Sequence, residues 1–189
     1  MRIGVLASGS GTILDAILSE AIPIEVVVVD RPCAATDIAA RHGVAAELVA
    51  RDSFGPDFDR LAFTERVVDA LVAHDVDLVI MAGYMTVLEK PIFDAYAGRV
   101  INTHPALLPA FRGAHAVRDA LAYGAKVTGT TVHVATVDVD DGPILAQEAV
   151  PVLPDDDEAS LHERIKAVER RLYPETIRRI IERGSVSET

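Results

Sequence analysis

At 189 residues with one cysteine, half the composition apolar and no tryptophan, the chain has the size of one domain and builds its core from Val, Ile, Leu and Ala. Twenty-nine acidic against eighteen basic residues give a net charge of −11, which argues against a broad electrostatic footprint for nucleic acid or an anionic membrane. Cys33 alone cannot form an intramolecular disulfide, and no paired Cys/His spacing suggests a metal, so none is expected.

Apolar β-rich runs alternate with segments of helical period, the pattern of βα units stacked on a parallel sheet. Strands are predicted at about 2–7, 23–29, 46–49, 77–81 and 99–103, and helices near 12–20, 34–42, 57–74, 90–95 and 115–123. Two later strands, 126–134 and 144–150, are separated only by a turn-rich stretch, which predicts an antiparallel addition to one edge. A long last helix follows Asp155-Asp156-Asp157-Glu158, whose charges suit a helix N-terminus. The first residues run straight into a strand pattern without a signal-peptide layout, and no apolar run reaches a membrane span, so a soluble cytoplasmic protein is expected.

Three stretches carry chemistry. Val100 to His104 delivers Asn102 and His104 two residues apart, on the same side of a strand that Pro105 then stops. An amide and an imidazole so placed can stabilise an oxygen becoming negative; the plainer alternative is a turn-capping Asn and a half-buried His. The junction Ala7-Ser8-Gly9-Ser10-Gly11-Thr12 couples glycines to a helix start, where free N–H groups attract an anion. A dinucleotide fingerprint fails there, because its third glycine would fall on Leu14, although Asp30 lies where a ribose-binding acid would be. A nucleophile elbow fails too, since Ser8 and Thr12 flank Ser10 where glycines are needed. The third stretch, Asp138-Val139-Asp140-Asp141-Gly142-Pro143, has turn chemistry and could also bring a carboxylate to His104 and favour its charged form.

Together the loop Ser8–Thr12, Ala82-Gly83-Tyr84-Met85, the run Asn102 to Pro109, Gly129-Thr130-Thr131-Val132-His133 and Asp140-Asp141-Gly142-Pro143 resemble the phosphoribosylglycinamide formyltransferases, in order from about residue 2 to residue 180. That resemblance implies an α/β formyltransferase fold over residues 1–189, mostly parallel and Rossmann-like, with an antiparallel edge and a long C-terminal helix. It implies transfer of a formyl group from 10-formyltetrahydrofolate to the amine of glycinamide ribonucleotide (GAR) in purine biosynthesis. Asn102, His104 and Asp140 would be catalytic, with Asp141 the alternative acid. Gly9, Gly11, Thr12, Ile13 and Glu169 would meet GAR. Arg60, Met85, Thr86, Val87, Leu88, Asn102, Asp138 and Asp140 would form the folate site. The partners implied are these two small molecules, with neither nucleic acid nor membrane, for a monomer or homodimer.

The chain departs from the family pattern at Ile13 in place of a common Asn, at Thr86 in place of a frequent basic residue, and at Arg112-Gly113 in place of Pro-Gly. The Arg-Gly pair is similar to methionyl-tRNA and nucleotide-sugar formyltransferases, and the same triad occurs in formyltetrahydrofolate hydrolase. The length favours the GAR enzyme over these relatives. A folate- or nucleotide-binding module without catalysis, or an NAD-binding fragment built on Asp30, are the remaining alternatives.

Overall fold

The computed structural model describes residues 1–53 and 55–186. In chain order the elements are β1 (Ile3–Ala7), α1 (Thr12–Ser19), β2 (Val26–Val29), α2 (Ala34–Arg41), β3 (Ala45–Leu48), α3 (Arg60–Ala73), β4 (Leu78–Met81), α4 (Lys90–Ala95), β5 (Val100–His104), α5 (Ala116–Tyr123), β6 (Val127–Val134), β7 (Ile144–Pro151) and α6 (Glu158–Arg183). Every predicted element is present. Two starts shift by three residues: β2, expected from 23, begins at Val26, and α3, expected from 57, begins at Arg60, because the Asp59 side chain accepts from Ala62 N–H at 2.9 Å and caps the helix there.

The strands form one seven-stranded sheet of order β3-β2-β1-β4-β5-β6-β7. The first five run parallel, while β6 and β7 are antiparallel, as the short connection between them requires. Alternate residues of the central strands feed two cores. Ile3, Val5 and Ala7 pack with α1, α2 and α6, whereas Leu6 packs with Phe63 and Val67 of α3 and Ile92 of α4. Burial on both faces explains why Val26–Val29 reads as an unbroken apolar run. Tyr173 of α6, fully buried, donates its hydroxyl to the Ile101 carbonyl at 2.8 Å and so fixes the last helix across the sheet.

Strand order reverses between β1 and β4, and the crevice outside their carboxyl ends is where an α/β sheet takes its ligand. The chain leaving β1 is the glycine loop, the chain leaving β4 is Ala82–Leu88, and β5 ends beside them at His104. Among the described residues no helix is long and apolar enough to cross a membrane, and no group of three metal-ligating side chains occurs.

Candidate active site

Gly11 adopts φ 69° at the N-cap of α1, and a Cβ there would sit 2.5 Å from Ile38 and 3.1 Å from Ala35, so only glycine lets the loop pass α2. A Cβ on Gly9 would meet nothing within 4 Å, so this part of the loop faces open space. No side chain caps α1. Its first N–H groups are therefore available to an anion. Ile13 turns its side chain into the core and offers only backbone here, while Thr12 is exposed. Ser8 ties this loop to the next by accepting from Met85 N–H at 3.0 Å.

A cleft of about 460 Å³ runs from this loop past Asn102 and His104 to α6. A smaller, mainly apolar cavity of about 130 Å³ adjoins it, lined by Met85, Thr86, Val87, Leu88 and Phe93 on one side and His133 on the other. Asn102 and Asp140 line both, so the two volumes meet at these side chains. Asn102 lies inside β5, paired across the ladder with His133, and not at a turn that it could cap.

His104 is 4% exposed. Its Nε2 donates to the Phe111 carbonyl at 2.7 Å, and its Nδ1 stands 3.2 Å from Asp140 Oδ2. Both nitrogens thus meet oxygens that can only accept, an arrangement that the imidazolium satisfies with two N–H groups. Asp140 Oδ2 also accepts from Gly113 N–H at 2.9 Å. The expected His–carboxylate pair is present, but Nε2 is committed to Phe111, which leaves Asn102 as the amide turned to the cleft.

The doubled acid divides by position. Asp140 is buried against His104, whereas Asp141 points outward and pairs with Arg112 at 2.5 Å. Asp140 holds φ 56°, which turns its side chain inward at the cost of a backbone region that non-glycine residues rarely adopt.

His133 closes the family-like run Gly129–His133 but was given no role in the site from the sequence. Its Nδ1 donates to the Val134 carbonyl at 3.0 Å, and its buried Nε2, without a hydrogen-bond partner, faces Asp140 Oδ1 at 3.6 Å. Burial pushes its pKa below the usual histidine value, against the Val134 hydrogen bond and the Asp140 charge, so the ring is neutral and Nε2 carries a lone pair. Only strand register places it opposite Asn102, and register cannot be read from one strand.

On α6, Glu169 lines the larger cleft together with His162 and Lys166, two cationic or titratable groups that sequence reasoning missed. Their spacing of four and three residues puts all three on one helix face, which was the available signal. Burial raises the Glu169 pKa, opposed by the hydrogen bond from the Thr103 hydroxyl. Burial lowers that of His162, and the Lys166 charge adds to this.

Several expected contacts lie elsewhere. Arg60 is an exposed first-turn residue of α3, 3.9 Å from Glu89, and lines neither cavity. The Asp138 side chain also lies outside both linings; Val137 and Val139 occupy that wall, and the Asp138 carbonyl accepts from Thr136. Thr86 reaches the apolar cavity, yet its hydroxyl donates to Asp30 Oδ2 at 2.7 Å. Asp30 is 1% exposed and also receives two hydrogen bonds from Arg31. Burial works to raise its pKa, but these partners and Ser8 hold it below the usual value. Asp30 is a satisfied internal carboxylate and has no opening to a ribose, which removes the NAD reading.

The formyl transferase family profile matches residues 1–177. The chain belongs to the formyl transferase family. It is 51% identical over 176 residues to the phosphoribosylglycinamide formyltransferase of Mycobacterium tuberculosis, covering 90% of this chain and 80% of that protein. It is 34% identical over 192 residues to the trifunctional purine biosynthetic protein adenosine-3 of Homo sapiens, covering 98% of this chain and 19% of that longer protein. Among solved structures, glycinamide ribonucleotide transformylase 1 from Symbiobacterium toebii superposes with a TM-score of 0.88 at 46% identity, over 94% of this chain and 86% of that one. The formyl transferase fold expected from the sequence is thus the fold observed.

Proposed function

We propose that this chain transfers the formyl group of 10-formyltetrahydrofolate to the amine of GAR, as a cytoplasmic enzyme of purine biosynthesis. One observation carries the reading: a larger cleft with an anion-ready glycine loop and a smaller apolar cavity meet at Asn102 and Asp140. The relative named phosphoribosylglycinamide formyltransferase and the structure named glycinamide ribonucleotide transformylase 1 support it.

In an acidic chain, a phosphorylated amine needs local donors. The N–H groups at Gly9, Gly11, Thr12 and Ile13 supply them, and Lys166 and His162 face the same cleft from α6. Glu169, beside Thr103, suits sugar hydroxyls. Met85, Thr86, Val87 and Leu88 form the wall for a flat pterin, closed on the other side by Ala135, Val137 and Val139. The Asp138–Asp140 loop contributes backbone and Val139 there. Arg60 would reach only a tail that leaves the cavity.

The reaction forms a bond between the amine nitrogen and the formyl carbon and breaks that carbon's bond to the folate nitrogen, which takes a proton. Asn102 donates to the formyl oxygen as it gains negative charge. His104, held between Phe111 and Asp140, adds positive charge behind it. Asp140 Oδ1 and the neutral Nε2 of His133 are two acceptors facing one point, suited to the proton that the attacking amine sheds. From there Asp140 can pass it toward the leaving nitrogen. No covalent enzyme intermediate is involved.

The test is turnover of 10-formyltetrahydrofolate by purified protein with and without GAR. Folate product only with GAR supports the proposal. Equal product with water alone indicates a hydrolase, and none in either case a binding module.

A further inference from the structure

The segment Phe111-Arg112-Gly113 and the loop Asp138–Gly142 are joined by three links. His104, on β5, donates to the Phe111 carbonyl while facing Asp140, and Gly113 N–H donates to Asp140. The third link is the Arg112–Asp141 ion pair at 2.5 Å, whose side chains are 45% and 48% exposed. The first two lie inside the cleft and involve groups assigned to the chemistry. The third lies outside, and neither partner lines a cavity.

Backbone conformation shows why an outer clamp matters. Phe111 holds φ 52° and Asp140 φ 56°, both in the region that favours glycine. Strained residues keep such conformations only where the surroundings over-determine them. The Phe111 ring gains an edge contact with Tyr123 at 5.9 Å, and Gly142 allows the approach of the second loop to β6, where a Cβ would lie 1.8 Å from the Val134 carbonyl oxygen. Arg112 is the only residue of its segment with a charge to offer the acidic loop, and of the acids left once Asp140 has turned inward it meets Asp141.

We infer that Arg112 and Asp141 are positioning residues, an external ion-pair latch that holds the Phe111–Gly113 segment against the Asp140 loop and so keeps His104 and Asp140 in register. The inference rests on the formyl-transfer reading for its kinetic arm only. Charge at 112 and 141 sets how often the segment opens, and each opening releases the Phe111 carbonyl and Gly113 N–H from their partners.

The experiment is a double-mutant cycle of Arg112→Ala and Asp141→Asn in the full chain, with Arg112→Lys as the conservative variant. Two readouts are followed: kcat at saturating GAR and folate, and hydrogen exchange of the Gly113 amide, which needs no substrate. Exposed ion pairs are modest, so each single variant is expected to lower kcat about two- to five-fold and speed Gly113 exchange by a similar factor. The double variant should be no worse than either single one, and Arg112→Lys should recover most of the loss. KM for GAR should stay unchanged, and salt should move the wild type toward the variants. Additive effects, a change confined to KM, or wild-type exchange and kcat in Arg112→Ala would overturn the latch. A wild-type protein inactive with GAR would instead refute the function, while the exchange arm still decides the latch.

Discussion

Replacing Asn102 with alanine separates chemistry from architecture. The side chain is half-buried, lies within β5 and lines both cavities, and no hydrogen bond from another described residue reaches its amide. Removing it therefore orphans no protein donor or acceptor, and the expected change in stability is within about 0.5 kcal/mol, as for substitutions away from buried features. The transition state tells a different story. A donor aimed at a forming oxyanion contributes about 2.7–4 kcal/mol, so kcat should fall roughly 100- to 1000-fold. The assay combines steady-state folate product formation, equilibrium binding of each substrate and thermal melting. Asn102→Ala should melt like the wild type and bind both ligands to within a few-fold, yet almost cease to turn over. Full turnover in a folded variant would refute the oxyanion role, and a parallel loss of melting temperature and ligand affinity would assign Asn102 to structure.

Glu169→Gln should stabilise the protein at pH 7 while weakening GAR binding: the folded pKa is raised, so the group favours the fold below its unfolded pKa and loses that contribution as pH rises through the folded value. The gain in melting temperature should vanish near pH 4, and a uniform gain at every pH would refute the linkage. His133 titrates with the opposite consequence. Its folded pKa is lowered, so stability is complete above about pH 6.5 and is lost as pH falls below that, and His133→Gln should flatten the decline between pH 7 and pH 5 measured by denaturant unfolding. In Gly142→Ala the new methyl would lie 1.8 Å from the Val134 carbonyl oxygen. The loop must move, which is expected to cost about 1–3 kcal/mol. At about 2–4 °C per kcal/mol, melting falls by several degrees. Activity should fall with it, since Asp140 shares the loop; an unshifted melting curve would show that the approach is not tight.

Element type and order were legible because the two periods differ so plainly: the unbroken Val26–Val29 run and the helical spacing of Ile13, Leu14, Ile17 and Leu18 admit few readings. The placement of Asn102, His104 and the glycine loop on one cleft was legible for a related reason, since β1 and β5 are parallel strands that run to the same edge of the sheet. What resisted reading was whatever depends on register between strands or on the far end of a side chain. His133 is a histidine in an apolar strand until pairing sets it opposite Asn102. Lys166 and His162 sat on a helix face whose direction in space the sequence does not state. Arg60 and the Asp138 side chain were expected at the folate and lie outside both cavities, because helix start and loop twist, not sequence neighbourhood, decide where those ends point.

The pair Asp140-Asp141 shows how one turn can settle two tasks that composition cannot tell apart. Of these two adjacent acids in the turn, Asp140 enters the cleft and Asp141 faces solvent. At Asp140 the backbone turns to φ 56°, and this turn selects the inward one. The inward carboxylate then meets His104 and the Gly113 N–H, which supply the donors and compensating charge a buried anion needs. Its neighbour, left in solvent, gains Arg112, and the arginine falls in the same three-residue segment that holds Phe111 and Gly113. Exchanging the two roles would require the loop to rotate as a whole. Asp140→Asn is therefore not expected to be rescued by Asp141, and its loss of turnover should persist in a protein whose outer ion pair is intact. Recovery of activity through Asp141 in that variant would show that the loop interconverts and that the inward turn is not fixed by the contacts described.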